Sequence, residues 1–184
     1  MIKIAFTGHR PNKLGGYDWN TEKNKKIIKK LKQTIINKIN ENKYNEKDFY
    51  FITGGALGID QMAFDIISEY KKIANSINII TEIAVPFKNQ SNKWFNKIDI
   101  NRYNRQLENA NKVTYVDTLE RYDKTSTKQG EYNYKKLQIR NEYMVDNCDI
   151  LVVVWDGSKS GTKNCVDYAT KIEKEIIRIN PSKL

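Results

Sequence analysis

The sequence predicts a Rossmann-like α/β protein, a three-layer sandwich with a mainly parallel sheet, on three observations. Short apolar segments with strand character alternate with longer segments whose apolar residues repeat at helical spacing. The segment Asp149–Trp155 is almost continuously apolar, which is typical of a parallel strand that helices cover on both faces. Turns rich in glycine or polar residues follow three of the predicted strands, as expected where a strand passes into a helix.

The individual elements alternate along the whole chain. The predicted strands are Ile2–Phe6, Phe49–Thr53, Ile77–Val85, Lys112–Val116, Asp149–Trp155 and Ile176–Ile179. The predicted helices are Asn20–Asn42, Ile59–Ile73, Trp94–Asn109, Tyr134–Asn147 and Thr162–Lys174. Asp117–Tyr132 is polar and rich in turn formers, and we expect it to form a mobile excursion. No linker or repeat interrupts the pattern, so residues 1–184 are predicted to form a single domain with Asp149–Trp155 as its central strand.

The positive charge is unevenly distributed. The chain carries 32 Lys and Arg against 22 Asp and Glu, a formal net charge of +10. Much of the excess falls in the predicted helix Asn20–Asn42, where lysines such as Lys25 and Lys29 lie mainly opposite an apolar stripe. A solvated helix face is the favoured interpretation, and a nucleic-acid surface is the alternative. A basic surface also attracts small anionic ligands.

Composition argues against several classes of protein and site. The two cysteines, Cys148 and Cys165, lack metal-ligand spacing, and the single histidine, His9, rules out a multi-histidine metal site. We therefore predict neither a metal nor a cofactor. No apolar run approaches the roughly 18 residues of a membrane span, and the first residues do not resemble a secretory signal. The expected setting is cytoplasmic, away from membranes, and a homo-oligomer is possible.

The turns after three strands are the candidate binding site. They are Thr7–Arg10, Thr53–Gly58 and Asp156–Thr162. In a parallel sheet, ligands bind outside the carboxyl ends of the strands, where glycine permits close backbone approach and helix N-termini attract anions. The chain contains neither G-x-G-x-x-G after the first strand nor G-x-x-x-x-G-K-[ST], which disfavours an ordinary dinucleotide dehydrogenase and a P-loop NTPase.

A set of motifs in fixed order resembles the SLOG superfamily, and in particular its YpsA-type branch. The motifs are TGHRP at 7–11, GGALGID at 54–60, AVPF at 84–87 with Gln90 and Trp94 following, RNEYMVDNCDILVVVWDG at 140–157 and SGTKNCVDYA at 160–169. The resemblance covers nearly the whole chain. It implies a Rossmann-like fold that binds nucleotides, nucleotide sugars or related ligands. Among related proteins, Lonely Guy phosphoribohydrolases cleave the base–ribose bond of nucleoside monophosphates, others sense nucleotide-derived signals in antiviral defence, and DprA proteins bind single-stranded DNA.

One departure from the enzymes affects the predicted chemistry. The Lonely Guy segment G-G-x-G-T-x-x-E ends in a catalytic glutamate, and Cys165 stands at the matching position here. Gly161 and Thr162 retain the phosphate-binding part. An acid can instead come from Asp60 or Asp156, which are the candidate catalytic residues.

The predicted site combines residues from all three turns and one helix. The predicted ligand-binding residues are Thr7, Gly8, His9, Arg10, Gly54, Gly55, Ala56, Gly58, Arg140, Asn141, Asp156, Gly157, Gly161 and Thr162. Arg10 offers a fork suited to phosphate, whereas Arg140 and Asn141 are included because the resemblance implies them. We expect Cys165 to be a packing residue, and Trp94 and Phe95 to anchor their helix to the sheet.

Three functions remain open at this point. The first is binding of a nucleotide or nucleotide-derived small molecule, by a sensor or a sequestering protein. The second is hydrolysis of an N-glycosidic bond, in the manner of a phosphoribohydrolase. The third is binding of single-stranded nucleic acid through the lysine-rich helix. The missing glutamate favours the first over the second, and the confinement of charge to one helix face disfavours the third.

Overall fold

Six strands form one fully parallel sheet in the computed structural model, which describes residues 1–184. The strands are β1 (Ile2–Gly8), β2 (Asp48–Thr53), β3 (Asn78–Val85), β4 (Lys112–Tyr115), β5 (Ile150–Val154) and β6 (Glu175–Ile179). The helices are α1 (Glu22–Asn42), α2 (Ile59–Ile73), α3 (Lys97–Asn109), α4 (Tyr134–Asp146) and α5 (Gly161–Lys171). The strand order is β4-β3-β2-β1-β5-β6. The predicted Rossmann-like α/β fold with a parallel sheet is confirmed.

The two faces of the sheet carry separate apolar cores. Ile4 and Phe6 of β1 join the core beneath α1 and α2, whereas Ala5 between them joins the core beneath α4 and α5. This alternation follows from the two-residue period of a strand, and it gives the three layers of the sandwich. Helix α3 packs beside α2 over the β3–β4 side of the sheet.

The central position of the sheet belongs to β1 and β2, so the prediction that Asp149–Trp155 is the central strand is wrong. Strand β5 lies between β1 and the edge strand β6. Its apolar sequence has another cause: Val152 and Val153 are buried in opposite cores, with exposures of 1% and 0%. A continuously apolar strand is therefore one that helices cover on both faces, and its composition does not give its position in the strand order.

The direction of the chain reverses between β1 and β5. From β1 the strands proceed outward to β4, and the chain then returns through α4 to place β5 on the other side of β1. Such a switch point opens a crevice at the carboxyl ends of the two strands, because the connections that follow them depart in opposite directions. The backbone of His9 continues the β1–β5 pairing by donating to the carbonyl oxygen of Val154 at 3.1 Å.

Two local predictions need correction. Helix α3 begins at Lys97, not at Trp94, because the side chain of Asn96 caps it by accepting from the amide of Ile98. Phe95 is fully exposed and anchors nothing, whereas the Trp94 ring packs edge-on against Tyr103 of α3.

The segment 117–132 contains short 3₁₀ turns and is attached to α4 by a buried ion pair described below. No helix combines the length and apolarity that crossing a membrane requires.

Candidate functional site

A cleft of about 440 Å³ lies at the carboxyl ends of β1 and β5, at the switch point of the sheet. Its volume lies in the range of small-molecule sites. Its lining residues are Thr7, Gly8, His9, Arg10, Asn12, Lys13, Ala56, Asp60, Leu137, Arg140, Asn141, Lys159, Ser160, Gly161 and Thr162. The structure thus brings together residues from β1, the loop after β2, the start of α2, helix α4 and the loop before α5.

The cleft is strongly cationic. Four of its lining residues are Lys or Arg, namely Arg10, Lys13, Arg140 and Lys159, and Asp60 is its one carboxylate. Positive charges held this close together attract an anionic ligand and repel a cationic one.

Arg140 is the most buried of these cations. It is 4% exposed, and its Nη1 donates to Oδ2 of Asp60 at 3.2 Å, which makes a buried ion pair between α4 and the first turn of α2. Its Nε is buried and has no hydrogen-bond partner. Because buried donors are ordinarily satisfied, an unpaired guanidinium N–H on a cleft wall indicates a place for an acceptor oxygen from a ligand.

Arg10 stands across from this pair and forms no ion pair of its own. The residue is exposed. Crowding by protein atoms nevertheless lowers the pKa of the guanidinium, and the charges of Asp60 and Arg140 raise and lower that pKa, respectively. Arginine remains charged under such shifts, so Arg10 is an unneutralised cation available to a ligand.

The N-terminus of α5 forms the opposite wall. Ser160 caps the helix by accepting from the amide of Lys163 at 3.3 Å, which leaves the amides of Gly161 and Thr162 without an intrahelical acceptor. No atom lies within 4 Å of the position that a Cβ on Gly161 would take, so this helix start is open to the cleft. Two free amides and the positive end of the helix dipole favour a phosphate or carboxylate there.

His9 and Asp156 join the loops that follow β1 and β5. The ring of His9 is buried, and its Nε2 lies 2.7 Å from Oδ1 of Asp156, so the ring N–H donates to the carboxylate. The same oxygen accepts from the amide of Ser158 at 2.8 Å. The amide and hydroxyl of Ser158, together with His9, lower the pKa of Asp156 below its usual range. This carboxylate therefore holds the two loops together and does not line the cleft, and neither does Gly157.

The three glycines after β2 lie beneath the cleft and not on its lining. A Cβ on Gly54 would coincide with Nη1 of Arg140, and one on Gly58 would lie 2.5 Å from the carbonyl oxygen of His9. Gly55 and Gly58 have φ angles of +65° and +95°, which disfavour side chains. These surroundings indicate that the glycines permit close packing of loops, and that Ala56 and Asp60 are the parts of this turn that reach the cleft.

Cys165 and Trp155 are packing residues in this structure. Cys165 is 0% exposed, and burial raises the pKa of its thiol to about 12, which suppresses the thiolate that nucleophilic attack needs. The indole of Trp155 donates to the carbonyl oxygen of Ser158, and its ring stacks with Arg178 outside the cleft. No group of three His, Cys, Asp or Glu side chains is placed to hold a metal ion.

Sequence reasoning missed several lining residues. Asn12 and Lys13 follow TGHRP directly, and Nζ of Lys13 reaches Ser158 Oγ at 2.7 Å across the cleft rim. Leu137 precedes Arg140 by three residues, so helical spacing along α4 was a usable signal for it. Lys159 and Ser160 lie within the loop that was singled out for its glycines.

The family of the chain follows from its sequence as a whole. The YpsA family model, the YspA SLOG family, matches residues 4–184. The chain belongs to this family. The resemblance inferred from the ordered motifs is confirmed.

Relatives and solved structures agree with this assignment. The chain is 40% identical to the uncharacterized SPbeta prophage-derived protein YoqJ of Bacillus subtilis, over 83% of this chain and 88% of that protein. It is 27% identical to the UPF0398 protein lwe1908 of Listeria welshimeri, over 95% of this chain and 86% of that protein.

The fold is similar to that of DNA processing protein A from Streptococcus pneumoniae, with a TM-score of 0.60 and 15% identity, and to that of its Helicobacter pylori counterpart, with 0.55 and 19%. The H. pylori structure describes a single-stranded DNA binding mode of that protein. This chain is covered to 97% in both cases but spans only 50% and 65% of those chains, so the likeness concerns the shared fold.

Proposed function

We propose that this YspA SLOG protein binds a nucleotide, or a nucleotide-derived small molecule, through an anionic group held in the cleft at the β1–β5 switch point, and acts as a sensor or a sequestering protein. The observation that carries the proposal is the convergence of the unpaired Nε of Arg140 with Arg10 and the open N-terminus of α5. Phosphate matches this set, because it accepts from guanidinium forks and backbone amides together.

Two measurements test the proposal. Native mass spectrometry of the protein purified from cells should detect a co-purifying phosphorylated small molecule. Calorimetric titration should show that AMP and CMP bind at least about tenfold more tightly than adenosine and cytidine, since charge-assisted hydrogen bonds to phosphate are lost in the nucleosides. If nucleosides bind as well as nucleotides, or if neither binds and nothing co-purifies, the proposal is wrong.

Hydrolysis of an N-glycosidic bond is the second candidate, because one carboxylate, Asp60, lines the cleft. Oδ2 of Asp60 accepts from Arg140, and Asp60 is only 5% exposed. The carboxylate is therefore held in place, where it would lie beside a bound ribose. Incubation with AMP, followed by chromatography for free adenine, tests this activity. Base release that falls at least about a hundredfold in Asp60→Asn supports the hydrolase; no base release by the unmodified protein over hours leaves the binding function alone.

A further inference from the structure

A second pocket adjoins the cationic cleft. It has a volume of about 330 Å³, and Arg10 and Leu137 line both spaces. The two are therefore neighbouring compartments, one cationic and one aromatic. A molecule with an anionic end and a flat apolar end would fill both.

Aromatic side chains form the walls of this second pocket. Phe87 is 2% exposed, and its ring meets that of Tyr132 edge-on at 5.7 Å. Trp94 lines the pocket while its ring is held edge-on against Tyr103 at 5.1 Å. Trp94 is partly exposed, so its fixed ring presents π-surface for a further flat ring to pack against, while the buried Phe87 supports Tyr132.

The wall that carries Tyr132 is fixed in place by a buried lysine. Lys136 and Asp117 are each 2% exposed and form an ion pair at 2.9 Å. The ammonium also donates to the carbonyl oxygens of Lys128 and Glu131, so all three of its N–H groups are used within the protein. This cation is therefore structural, and it holds the loop against α4 before any ligand arrives.

Gln90 is one of several polar residues that line the pocket, which also include Asn89, Asn92, Lys93 and Glu131. Its Nε2 donates to the carbonyl oxygen of Gly54 at 3.3 Å, which fixes the orientation of the amide, because a flipped amide would place two oxygens together. The residue is 8% exposed, and its Oε1 is buried without a partner. The pocket thus offers a hydrogen-bond acceptor and calls for a donor on the ligand.

We infer that this pocket receives an aromatic base bearing an exocyclic amine, as in adenine or cytosine, with the amine donating to Oε1 of Gln90 and the ring packing against Trp94. The inference rests on the proposed function, because Arg10 and Leu137 join this pocket to the cleft that would hold the phosphate of the same molecule.

Calorimetric titration with three kinds of probe tests the inference. The probes are ribose 5-phosphate, AMP and CMP, and the analogues of AMP and CMP in which hydrogen replaces the amine. We expect AMP or CMP to bind at least about fivefold more tightly than ribose 5-phosphate, since stacking of a base on an aromatic side chain adds at least about 1 kcal/mol. The analogue without the amine should be weaker than its parent by about tenfold, because Oε1 of Gln90 then has no donor.

Two variants separate the contributions of ring and amine. Gln90→Met should make each parent nucleotide and its amine-free analogue bind equally, while Trp94→Ala should weaken both without changing the affinity for ribose 5-phosphate. Circular dichroism and thermal unfolding check that each variant is folded, and Phe95→Ala, which alters a fully exposed side chain nearby, is the matched control.

The inference and the proposed function fail in different ways. If ribose 5-phosphate binds and neither base adds affinity, or if Gln90→Met preserves the difference between a parent nucleotide and its analogue, the base pocket is refuted and the cleft stands. If no phosphorylated probe binds, both are refuted.

Discussion

Two glycine-rich turns look alike in the sequence and differ in the structure. The turn Thr53–Gly58 after β2 and the turn Asp156–Thr162 after β5 both end at the start of a helix. In the first, glycines are needed because Arg140 and the backbone of His9 occupy the space of a side chain. In the second, Gly161 faces open space. Gly54 and Gly58 therefore permit packing, whereas Gly161 leaves the second turn accessible.

The position of each turn in the sheet explains the difference. Strand β5 borders the switch point, where the chain departs in opposite directions and a crevice forms. Strand β2 has β1 and β3 on its two sides, and α2, which follows it, packs over the sheet. The turn after β2 therefore supports the crevice from below. Its Ala56 and the following Asp60 line the crevice, and its glycines do not.

The largest expected effect is that of Gly54→Ala. The added methyl group would displace Arg140 and leave Asp60 buried without its partner. Breaking a buried ion pair costs about 3–5 kcal/mol, so the free energy of unfolding in urea should fall by that amount. Gly161→Ala is the control and should change the free energy of unfolding by no more than about 0.5 kcal/mol. Equal effects at the two positions would remove the distinction between the turns.

Gly58→Ala sharpens the comparison by separating backbone strain from steric conflict. Gly58 and Gly16 both have positive φ angles, +95° and +85°, but no atom lies near a Cβ on Gly16. Gly16→Ala should therefore show the strain alone, about 1 kcal/mol. Gly58→Ala should lower the free energy of unfolding by at least about 1 kcal/mol more than Gly16→Ala does, because its methyl group meets the carbonyl oxygen of His9. Thermal unfolding of both variants decides this, and similar melting temperatures would show that the two loops have room between them.

Arg10→Gln examines the anion-binding side directly. Because Arg10 makes no ion pair, its removal should leave stability nearly unchanged while the affinity for AMP falls by about tenfold. Arg105→Gln, which removes an exposed cation of α3 that pairs with Asp65 of α2, is the matched control and should bind AMP normally. An Arg10 variant with unaltered affinity would contradict the placement of the anion.

The smallest expected effect concerns the lysines of α1. Changing Lys25, Lys29 and Lys32 to glutamate should leave the affinity for AMP within about twofold at physiological salt, because screening removes distant charges. The same variant tests the nucleic-acid alternative through titration of a labelled single-stranded oligonucleotide. Tight binding by the unmodified protein that disappears in the variant, with a reduced salt dependence, would favour a DNA-binding role over the nucleotide-binding one.

Most of the fold could be predicted from the sequence, because the spacing of apolar residues and the turns that follow strands are properties of short chain segments. The sequence placed β1, β2 and α2 to within two residues, and it located the loop before α5. The position of β5 in the strand order could not be predicted, because apolar composition shows that a strand is buried on both faces but not which strands are its neighbours. The sequence could not single out Gln90 for the proposed base pocket either, since the orientation of its amide depends on the carbonyl oxygen of Gly54, 36 residues away in the chain. The surroundings of Gly54 and Gly58 could not be predicted for the same reason, because they come from Arg140 of α4 and from the loop after β1.

The most direct test of the central claim is an amide NMR titration of the isotope-labelled protein with AMP. If the anionic group binds at the start of α5, the amide resonances of Gly161 and Thr162 should shift first and most, while those of Gly55 and Gly58 stay nearly constant. Large shifts confined to Gly55 and Gly58, with Gly161 and Thr162 unmoved, would place the ligand on the other turn and contradict the account.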